Sequence, residues 1–445
     1  MMYFAIHSNR TLIDSALKEA TLLIENGCII DVVDGIPEGL DCPFENVGNS
    51  ILMPGLVDCH VHINEPGRTE WEGFDTATKA AVAGGITTLV DMPLNSSPVS
   101  TTADAFQRKL AAAKEKLHIH CGFWGGVIPG NENHLAELSE MGVLGFKAFL
   151  VHSGIDEFPN VTESDLRKAI PIIAETGLPL LMHSELETSF SPEMIIETQY
   201  GDWLNSHPKK WEDDAIALMI KLCKEFNCKT HIVHLSSANS IEQIQKAKYE
   251  GLPLTVETCP HYLFFNAEEI PDGDTRFKCA PPIREKENNE QLWQALKDGI
   301  IDFVVTDHSP STPELKLLES GNLKDAWGGI SSLQFSLPVM WTAAKERGFS
   351  VQDISKWMSS KTADFIGFSD KKGKIAKGFD ADLVVWNPER KFVVETEAIQ
   401  FRHKITPYEG QELVGVVEKT FVKGEKVFDN GAFISLQRGE ILLTD

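Results

Sequence analysis

The feature of this sequence that most constrains its fold is a unit that recurs after residue 54. A short apolar run ends in polar residues, and most runs are followed by an amphipathic stretch of helical length. Alternating strands and helices pair their strands in parallel, and eight such units close into a barrel. We therefore predict an α/β fold with a TIM-like (β/α)8 barrel. Its strands are expected at 54–63, 87–94, 119–127, 145–151, 178–185, 230–236, 252–263 and 301–309, and helices at 75–83, 103–116, 163–175, 213–226 and 240–249.

The two ends of the chain have a different character from the barrel. They carry β-rich runs at 20–24, 383–386 and 414–419, separated by Gly and Asp turns. Because both ends contain apolar strands that need burial, we expect them to pair into one small β-sandwich domain rather than form two independent tails. The predicted organisation is 1–53 and 373–445 for the β domain, and 54–372 for the barrel.

Composition narrows the class of protein. With 42% hydrophobic and 24% charged residues, the 445-residue chain is expected to fold throughout. Its net charge of −24 disfavours nucleic acid and anionic membranes as partners. The start of the chain lacks a secretory signal pattern, and no window approaches the roughly 20 apolar residues of a membrane span. We expect a cytoplasmic protein whose eight scattered cysteines are free thiols.

Two histidine pairs of the form H-x-H occur on barrel strands. His60 and His62 lie on the first strand, and since side chains alternate along a strand, both point to the same face and can reach one metal ion. His118 and His120 come at the start of the third strand. That is the wrong end for a barrel active site, so we interpret the second pair as structural.

Four more residues that can bind metal end later strands in the same way: Lys147, His183, His234 and Asp307. Residues that share the C-terminal ends of barrel strands converge, so we predict that all six form one ligand set. His231 lies three residues before His234 and should face the opposite way, and the position near the strand end selects His234. The adjacent His308 is expected to face away from the barrel.

Lys147 is an unusual residue for the inside of a barrel. A protonated lysine is costly to bury and is a poor metal ligand. Carboxylation by carbon dioxide would convert its amine to a carbamate whose two oxygens can bridge two cations. The alternative is a lysine that extends its amine to solvent.

The segments 55–62, 145–147 and 305–310 resemble the cyclic amidohydrolases of the amidohydrolase superfamily, and the similarity runs nearly end to end, including the tail at 373–382. The resemblance implies a binuclear metal centre. His60 and His62 would hold one ion with Asp307, and His183 and His234 would hold the other. Lys147, as N6-carboxylysine, would bridge them. Zinc is expected, with cobalt, manganese and iron left open by the ligand types.

The same resemblance implies a reaction. Two divalent ions can deprotonate a bridging water and polarise the amide carbonyl that the water attacks. Asp307 would act as the catalytic base that passes the proton to the departing ring nitrogen. The resemblance also implies a homo-oligomer, a tetramer or a dimer.

Two features of the sequence indicate the substrate: the absence of one arginine and three longer segments of similarity. Dihydroorotases carry an arginine where this chain has Asn64, so a neutral substrate is expected unless Arg68 supplies the charge. The segments 65–74, 91–95 and 308–316 resemble allantoinases, which implies the small molecule allantoin, a hydantoin ring with a ureido arm. Expected substrate contacts are Asn64, Asn95, Cys279 and Gly328.

Alternative interpretations remain for one residue and for the function. Asn95 could instead be a turn residue before Ser96 and Ser97. A hydantoinase or dihydropyrimidinase acting on another neutral cyclic amide is the alternative enzyme. A non-catalytic scaffold related to dihydropyrimidinases is disfavoured, since all six ligand positions are filled.

Overall fold

A computed structural model describes residues 3–189, 196–434 and 437–444. Five strands come first: β1 (Tyr3–Ile13), β2 (Ala16–Glu25), β3 (Cys28–Asp34), β4 (Phe44–Asn46) and β5 (Ile51–Pro54). The next group is β6 (Leu56–Val61), β7 (Ile86–Asp91), β8 (His120–Phe123), β9 (Gly125–Gly126), β10 (Phe146–Phe149), β11 (Leu180–His183), β12 (Thr230–Ile232), β13 (Leu254–Thr258) and β14 (Phe303–Val304). The last group is β15 (Leu383–Val393), β16 (Glu412–Val422), β17 (Glu425–Asp429) and β18 (Ala432–Phe433).

The strands β6 to β14 form the predicted barrel. β6, β7 and β8 pair in parallel in that order, and β9 to β14 pair in parallel in a second series. β9 follows β8 after a single residue, Trp124, so the two occupy one position in the barrel. The eight positions coincide with the eight predicted runs, which confirms the fold class. The seventh run was predicted too long, because its strand ends at Thr258 and a helix begins at Pro260.

Helices connect most of the barrel strands. They are α1 (Phe74–Ala83), α2 (Ala103–Ala113), α3 (Leu135–Glu140), α4 (Glu163–Thr176), α5 (Tyr200–Ser206), α6 (Lys209–Phe226), α7 (Ile241–Tyr249), α8 (Pro260–Phe264), α9 (Lys286–Lys297), α10 (Pro313–Lys316), α11 (Ser336–Glu346), α12 (Val351–Ser355) and α13 (Lys361–Phe365). In α4, Thr162 and Asp165 form a capping box, and Gly177 ends the helix in the left-handed conformation. Among the described residues, no helix has both the length and the apolar character needed to cross a membrane.

The terminal segments share one sheet. β5 pairs with β1 in parallel and with β15 antiparallel, with Pro54 opposite Leu383. The sheet runs β18-β17-β16-β15-β5-β1-β2-β3, and β4 pairs with β1. Side chains from both segments enclose a separate apolar core that includes Ile6, Leu22, Ile29, Leu52, Leu383 and Phe421. The two ends therefore build one β domain, as predicted, and the exact domain boundaries stay a prediction.

A carboxylate joins the first barrel strand to the last. Asp58 on β6 is buried, and it accepts hydrogen bonds from the backbone N–H of Thr306, just after β14, at 3.2 Å. Closer to the strand ends, the His62 N–H donates to the His308 carbonyl at 2.8 Å. Burial raises the pKa of Asp58 to about 7. The barrel is thus closed partly by a side chain, on the strand that carries His60 and leads directly into His62.

The second histidine pair attaches the C-terminal segment to the barrel. His118 Nδ1 accepts from the Gln437 N–H at 2.9 Å, and His120 Nδ1 accepts from the Glu440 N–H at 3.3 Å. Nε2 of His120 lies 3.5 Å from Oδ1 of Asp382, in the tail segment 373–382 that resembles the cyclic amidohydrolases. These contacts agree with the structural interpretation of this pair.

A buried ion pair supports the strand ends and gives a test of the fold. Lys109 on α2 and Asp91 at the end of β7 are both fully buried, with Nζ 2.6 Å from Oδ2. Asp91 also accepts from the Ile63 N–H at 2.9 Å, next to His62. We predict that Lys109→Met lowers the free energy of unfolding by about 3–5 kcal/mol, because it leaves a buried carboxylate unpaired. Urea unfolding followed by circular dichroism measures the change.

The control is Lys79→Met, which breaks a partly exposed ion pair between Lys79 and Asp75 on one helix. Such pairs contribute about 0–1 kcal/mol. Equal losses of stability in the two variants would show that the buried pair does not hold the strand ends.

Candidate metal centre

A cavity of about 530 Å³ opens at the C-terminal ends of the barrel strands. All six predicted ligands line it: His60, His62, Lys147, His183, His234 and Asp307. They come from β6, β10, β11 and the segments just after β6, β12 and β14. Parallel strands of a barrel present their ends on one face, which explains how residues up to 247 positions apart meet.

His60, His62 and Asp307 form the tightest group of potential ligands. Oδ1 of Asp307 lies 3.2 Å from Nε2 of His60 and 3.4 Å from Nε2 of His62. One ligand atom from each of the three residues lies within 4.8 Å of the other two, and all three residues are buried. A single divalent cation could bind all three atoms at once.

His183 and His234 face each other beside this group. Nδ1 of His183 is 2.9 Å from Nε2 of His234, and the His234 ring centroid is 5.5 Å from that of His60. The amine of Lys147 is fully buried and lies 4.8 Å from the centroid of the Phe149 ring. Among the described residues, Nζ of Lys147 has no hydrogen-bond partner. The two histidines and the lysine therefore lie beside the first group, where the second set of ligands is predicted.

Burial controls the protonation of these groups. It lowers the pKa of His60, His183 and His234, so the rings are neutral and carry a lone pair that can bind metal. It also lowers the pKa of Lys147 to about 8. Burial alone would raise the pKa of Asp307, but the surrounding histidines, His60 first, and the hydrogen bond from His62 keep that pKa well below its usual range. Asp307 is therefore ionised at neutral pH.

The donor set of the cavity suits divalent cations. Besides Lys147 Nζ, the buried nitrogens His62 Nδ1 and His234 Nδ1 lack partners among the described residues. Neutral imidazoles and a carboxylate are ligands that zinc and its first-row neighbours accept. A carbamate on Lys147 would replace a buried ammonium without partners by two oxygen ligands. The residues present therefore fit a metal centre.

Backbone strain marks the same face of the barrel. Four non-glycine residues at the ends of barrel strands have a positive φ: Asn64 (67°), Asn95 (50°), His234 (39°) and Asp307 (45°). Asparagine adopts this conformation more readily than most residues, whereas for histidine and aspartate it is unusual. Such a conformation at two predicted ligands indicates that the side-chain direction matters there.

Three of the four predicted substrate contacts line the cavity. Asn95, Cys279 and Gly328 line the cavity, and the side-chain oxygen of Asn95 is buried without a partner among the described residues. Asn64 is buried, donates to the Pro310 carbonyl at 3.2 Å and is not among the lining residues. Contact between substrate and any of these four residues stays a prediction.

Arg68, the alternative source of positive charge, is already paired. Its guanidinium donates to the Asn95 carbonyl and to Glu157, each at 2.9 Å, and it is not among the residues that line the cavity. Lys278 does line the cavity, with Nζ donating to the carbonyls of Lys324 (2.9 Å) and Ala326 (2.5 Å). Sequence reasoning did not identify Lys278, since no motif around it signals a site.

Two acidic residues beside the ligands were also missed. Glu257 on β13 is bonded to His60, and Glu185 after β11 is bonded to His183 at 2.9 Å. Each of them ends an apolar run, and that signal could have identified them. His231 was predicted to face the opposite way from His234. That prediction was wrong, because His231 is bonded at 3.0 Å to Glu257, the same residue that is bonded to His60. His308 does point elsewhere, and its Nδ1 accepts from the Ser332 N–H at 3.0 Å.

Comparisons with known proteins agree with this geometry. The model of the amidohydrolase family matches residues 51–427. Allantoinase of Streptomyces avermitilis is 46% identical over 438 residues, covering 96% of each chain. Allantoinase of Saccharomyces cerevisiae is 43% identical over 447 residues, covering 97% of this chain and 96% of the yeast protein.

A solved structure extends the similarity to the fold. L-Hydantoinase (dihydropyrimidinase) from Arthrobacter aurescens superposes with a TM-score of 0.93 at 28% identity, covering the whole of both chains. The match includes the barrel, the β domain and every strand that carries a predicted ligand. The chain therefore belongs to the amidohydrolase family.

Proposed function

We propose that this protein is an allantoinase that hydrolyses the hydantoin ring of allantoin to give allantoate. The observation that carries the proposal is the meeting of all six predicted ligands in one cavity, in a chain 46% identical to a curated allantoinase over nearly its full length. The reaction adds water to a ring carbonyl carbon and breaks its bond to the ring nitrogen. The oxygen remains in a carboxylate, and the nitrogen takes up a proton.

The proposed centre contains two divalent ions, zinc in the first instance. His60, His62 and Asp307 would hold one, His183 and His234 the other, and Lys147, carboxylated on Nζ, would bridge them. When bound, such ions supply an activated water and polarise the amide carbonyl. The lowered pKa of Lys147, about 8, favours carboxylation because only the neutral amine reacts with carbon dioxide.

Asp307 is the proposed catalytic base. It is ionised, it lies between His60 and His62, and it accepts a hydrogen bond from the Ser309 hydroxyl at 2.9 Å. It would take the proton from the attacking water and transfer it to the departing ring nitrogen. No side-chain nucleophile is needed, and burial raises the pKa of the cavity-lining Cys279 to about 12, so that thiol is not ionised.

The wall of the cavity suits a flat, uncharged ring with several amide groups. Trp203, His207, Trp211 and Phe149 contribute ring surfaces, and the unpartnered oxygen of Asn95 can accept an amide N–H. Gly328 lines the cavity, and an added Cβ there would meet only Cys279 Cα, at 4.0 Å. At Gly329 (φ 122°) an added Cβ would lie 2.4 Å from the Ser309 carbonyl oxygen, so a side chain does not fit there.

We also propose a homo-oligomer, a tetramer or a dimer, as the resemblance implies.

The first prediction from the proposed function concerns the two histidines at the end of β6. His60→Ala or His62→Ala should lower kcat/KM for allantoin by more than about a thousandfold, at least 4 kcal/mol of transition-state stabilisation, because the ligand is lost. Ureide product formation measures the rate, and circular dichroism should show a parental fold. His134→Ala changes an exposed histidine at the start of α3 and serves as the control. Activity of His60→Ala within tenfold of the parent would refute the ligand assignment.

The second prediction concerns the bridging lysine. Lys147→Ala should be inactive and should lose bound metal, since no bridging oxygens remain. Added short-chain carboxylic acids should restore part of the activity, because their two oxygens can occupy the space of the carbamate. The measurement is the rate of allantoin turnover as a function of acetate or propionate concentration. His60→Ala is the control, because the acids should not restore its activity. Full activity of Lys147→Ala without additive would contradict a bridging carbamate.

The third prediction concerns substrate charge. A desolvated arginine–carboxylate contact contributes on the order of 1.5–3 kcal/mol, and Asn64 cannot make one. Dihydroorotate, an anion, should therefore have a kcat/KM at least about a hundredfold below that of allantoin, at about 1.4 kcal/mol per tenfold change. Both constants are measured on one preparation with the same metal content.

The contradicting result would be a dihydroorotate constant equal to or above that of allantoin. Lys278→Met then identifies the cation responsible, since Lys278 lines the cavity whereas Arg68 does not. In the proposed allantoinase, Arg68→Met should leave the ratio of the two constants unchanged.

A further inference from the structure

Two buried carboxylates contact the predicted metal ligands without belonging to the ligand set. Glu257 on β13 has no exposed surface, and Glu185 after β11 is 2% exposed. Each is bonded to a ring nitrogen of one ligand histidine, on the side of the ring that faces away from the neighbouring ligands. Because a buried carboxylate is costly unless it is hydrogen-bonded, the partners of these two residues indicate their roles.

Glu257 is part of an ordered chain of four residues. One carboxylate oxygen accepts from Nδ1 of His60, and the other accepts from Nε2 of His231 at 3.0 Å. Nδ1 of His231 is bonded to the Thr255 hydroxyl at 2.8 Å. The His231 ring is itself held between aromatic rings, with centroids 5.2 Å from Phe303 and 4.3 Å from Phe365. Glu257 therefore cannot move without disturbing packed side chains.

These contacts determine which nitrogen of His60 carries the proton. An ionised carboxylate only accepts hydrogen bonds, so the proton must be on Nδ1, the atom bonded to Glu257. The lone pair is then on Nε2, which lies 3.2 Å from Oδ1 of Asp307. The ring is thus oriented and ready to bind a cation through Nε2.

Glu185 imposes the opposite arrangement on His183. Its carboxylate accepts from Nε2 of His183 at 2.9 Å, so the lone pair of that ring is on Nδ1. Nδ1 lies 2.9 Å from Nε2 of His234, the other predicted ligand of the second ion. His60 and His183 therefore present different nitrogens to the cavity, and each is held in that state by a different carboxylate.

We propose that Glu257 and Glu185 are positioning residues, one for each predicted metal ion. Glu257, held by His231, fixes the ring of His60, and Glu185 fixes the ring of His183. The inference rests on the metal centre in the proposed function, but it concerns side chains that do not bind the ions. Without its carboxylate, each ring is free to rotate or to place its proton on the metal-facing nitrogen.

Zinc binding to the full-length protein tests the proposal directly. Zinc is titrated in competition with a chromophoric chelator into the metal-stripped parent, Glu257→Gln and Glu185→Gln. The amide either turns its NH2 toward the ring, where it cannot accept a proton, or offers a neutral and weaker acceptor. Each variant should bind one of its two zinc ions about 10- to 100-fold more weakly than the parent does.

The matched control is Glu212→Gln. Glu212 is equally buried and is paired with Arg284 at 2.9 Å, but it contacts no predicted ligand. This variant should keep both zinc affinities even where its thermal unfolding temperature falls. Equal weakening in all three variants would overturn the proposal, since burial of any altered carboxylate would then explain the effect.

Two variants of His231 separate positioning from general packing and cover a failure of Glu257→Gln to fold. His231→Gln keeps a side-chain N–H that can donate to Glu257, whereas His231→Phe keeps the ring but removes the donor. The first should bind zinc as the parent does, and the second should weaken one ion. The reverse order would overturn the proposal.

A double-variant comparison assigns each carboxylate to its ion. In a His60→Ala background, Glu257→Gln should no longer change the affinity of the remaining ion, whereas Glu185→Gln should. If all single variants bind two zinc ions with parental affinity, the positioning role is refuted while the proposed function stands. If the parent binds neither zinc nor cobalt, manganese or iron, the proposed function itself fails.

Discussion

Buried nitrogen atoms without partners are the constraint on which the mouth of this barrel depends. Lys147 Nζ, His62 Nδ1 and His234 Nδ1 are all shielded from water, and none has a hydrogen-bond partner among the described residues. Each such group costs about 1–3 kcal/mol in a folded protein. Lys147 and His234 line the cavity beside the other predicted ligands, where a carbamate on Lys147 and a bound cation would remove part of this cost. In the proposed function, metal binding would therefore add to the stability of the fold.

A layer of carboxylates lies around the predicted ligands. Asp58 accepts the backbone N–H groups of His60 and Thr306, Asp91 accepts that of Ile63, and Glu257 accepts that of His234 at 3.3 Å. Each carboxylate thus holds the backbone at or next to a predicted ligand. The strand ends would otherwise leave these N–H groups unpaired, since the ladder between neighbouring strands stops there. The same side chains that complete the sheet therefore also fix the geometry of the site.

The sequence predicted the barrel and the ligand set for one reason. Apolar runs identify buried parallel strands, and a polar residue at the end of such a run lies on the catalytic face, as His60, Lys147 and Asp307 do. Glu257 also ends an apolar run, but a carboxylate that lies behind a ligand has no spacing motif of its own, so the ligand pattern does not identify it. The length of the seventh strand was misjudged because Pro260 was included in the apolar run, although proline favours the first turn of a helix.

The error on His231 has a different origin, and it explains how the site is built. Strict alternation along an extended strand would place His231 and His234 on opposite faces. The structure brings both to the same side because β12 ends at Ile232 and His234 has a φ of 39°. A left-handed residue reverses the direction of the side chain where the strand turns into its loop. Asp307, with a φ of 45°, follows β14 in the same way.

Such conformations cost on the order of 1–3 kcal/mol for residues other than glycine, and no sequence pattern in His234 or Asp307 announces them. The surrounding structure must therefore impose them, and the contacts that do so are visible. The carboxylate of Glu257 accepts the His234 N–H, and the Ser309 hydroxyl donates to the Asp307 carboxylate. These contacts hold the backbone of His234 and the carboxylate of Asp307, so both side chains are directed into the cavity. The strain is thus offset by contacts of the fold itself.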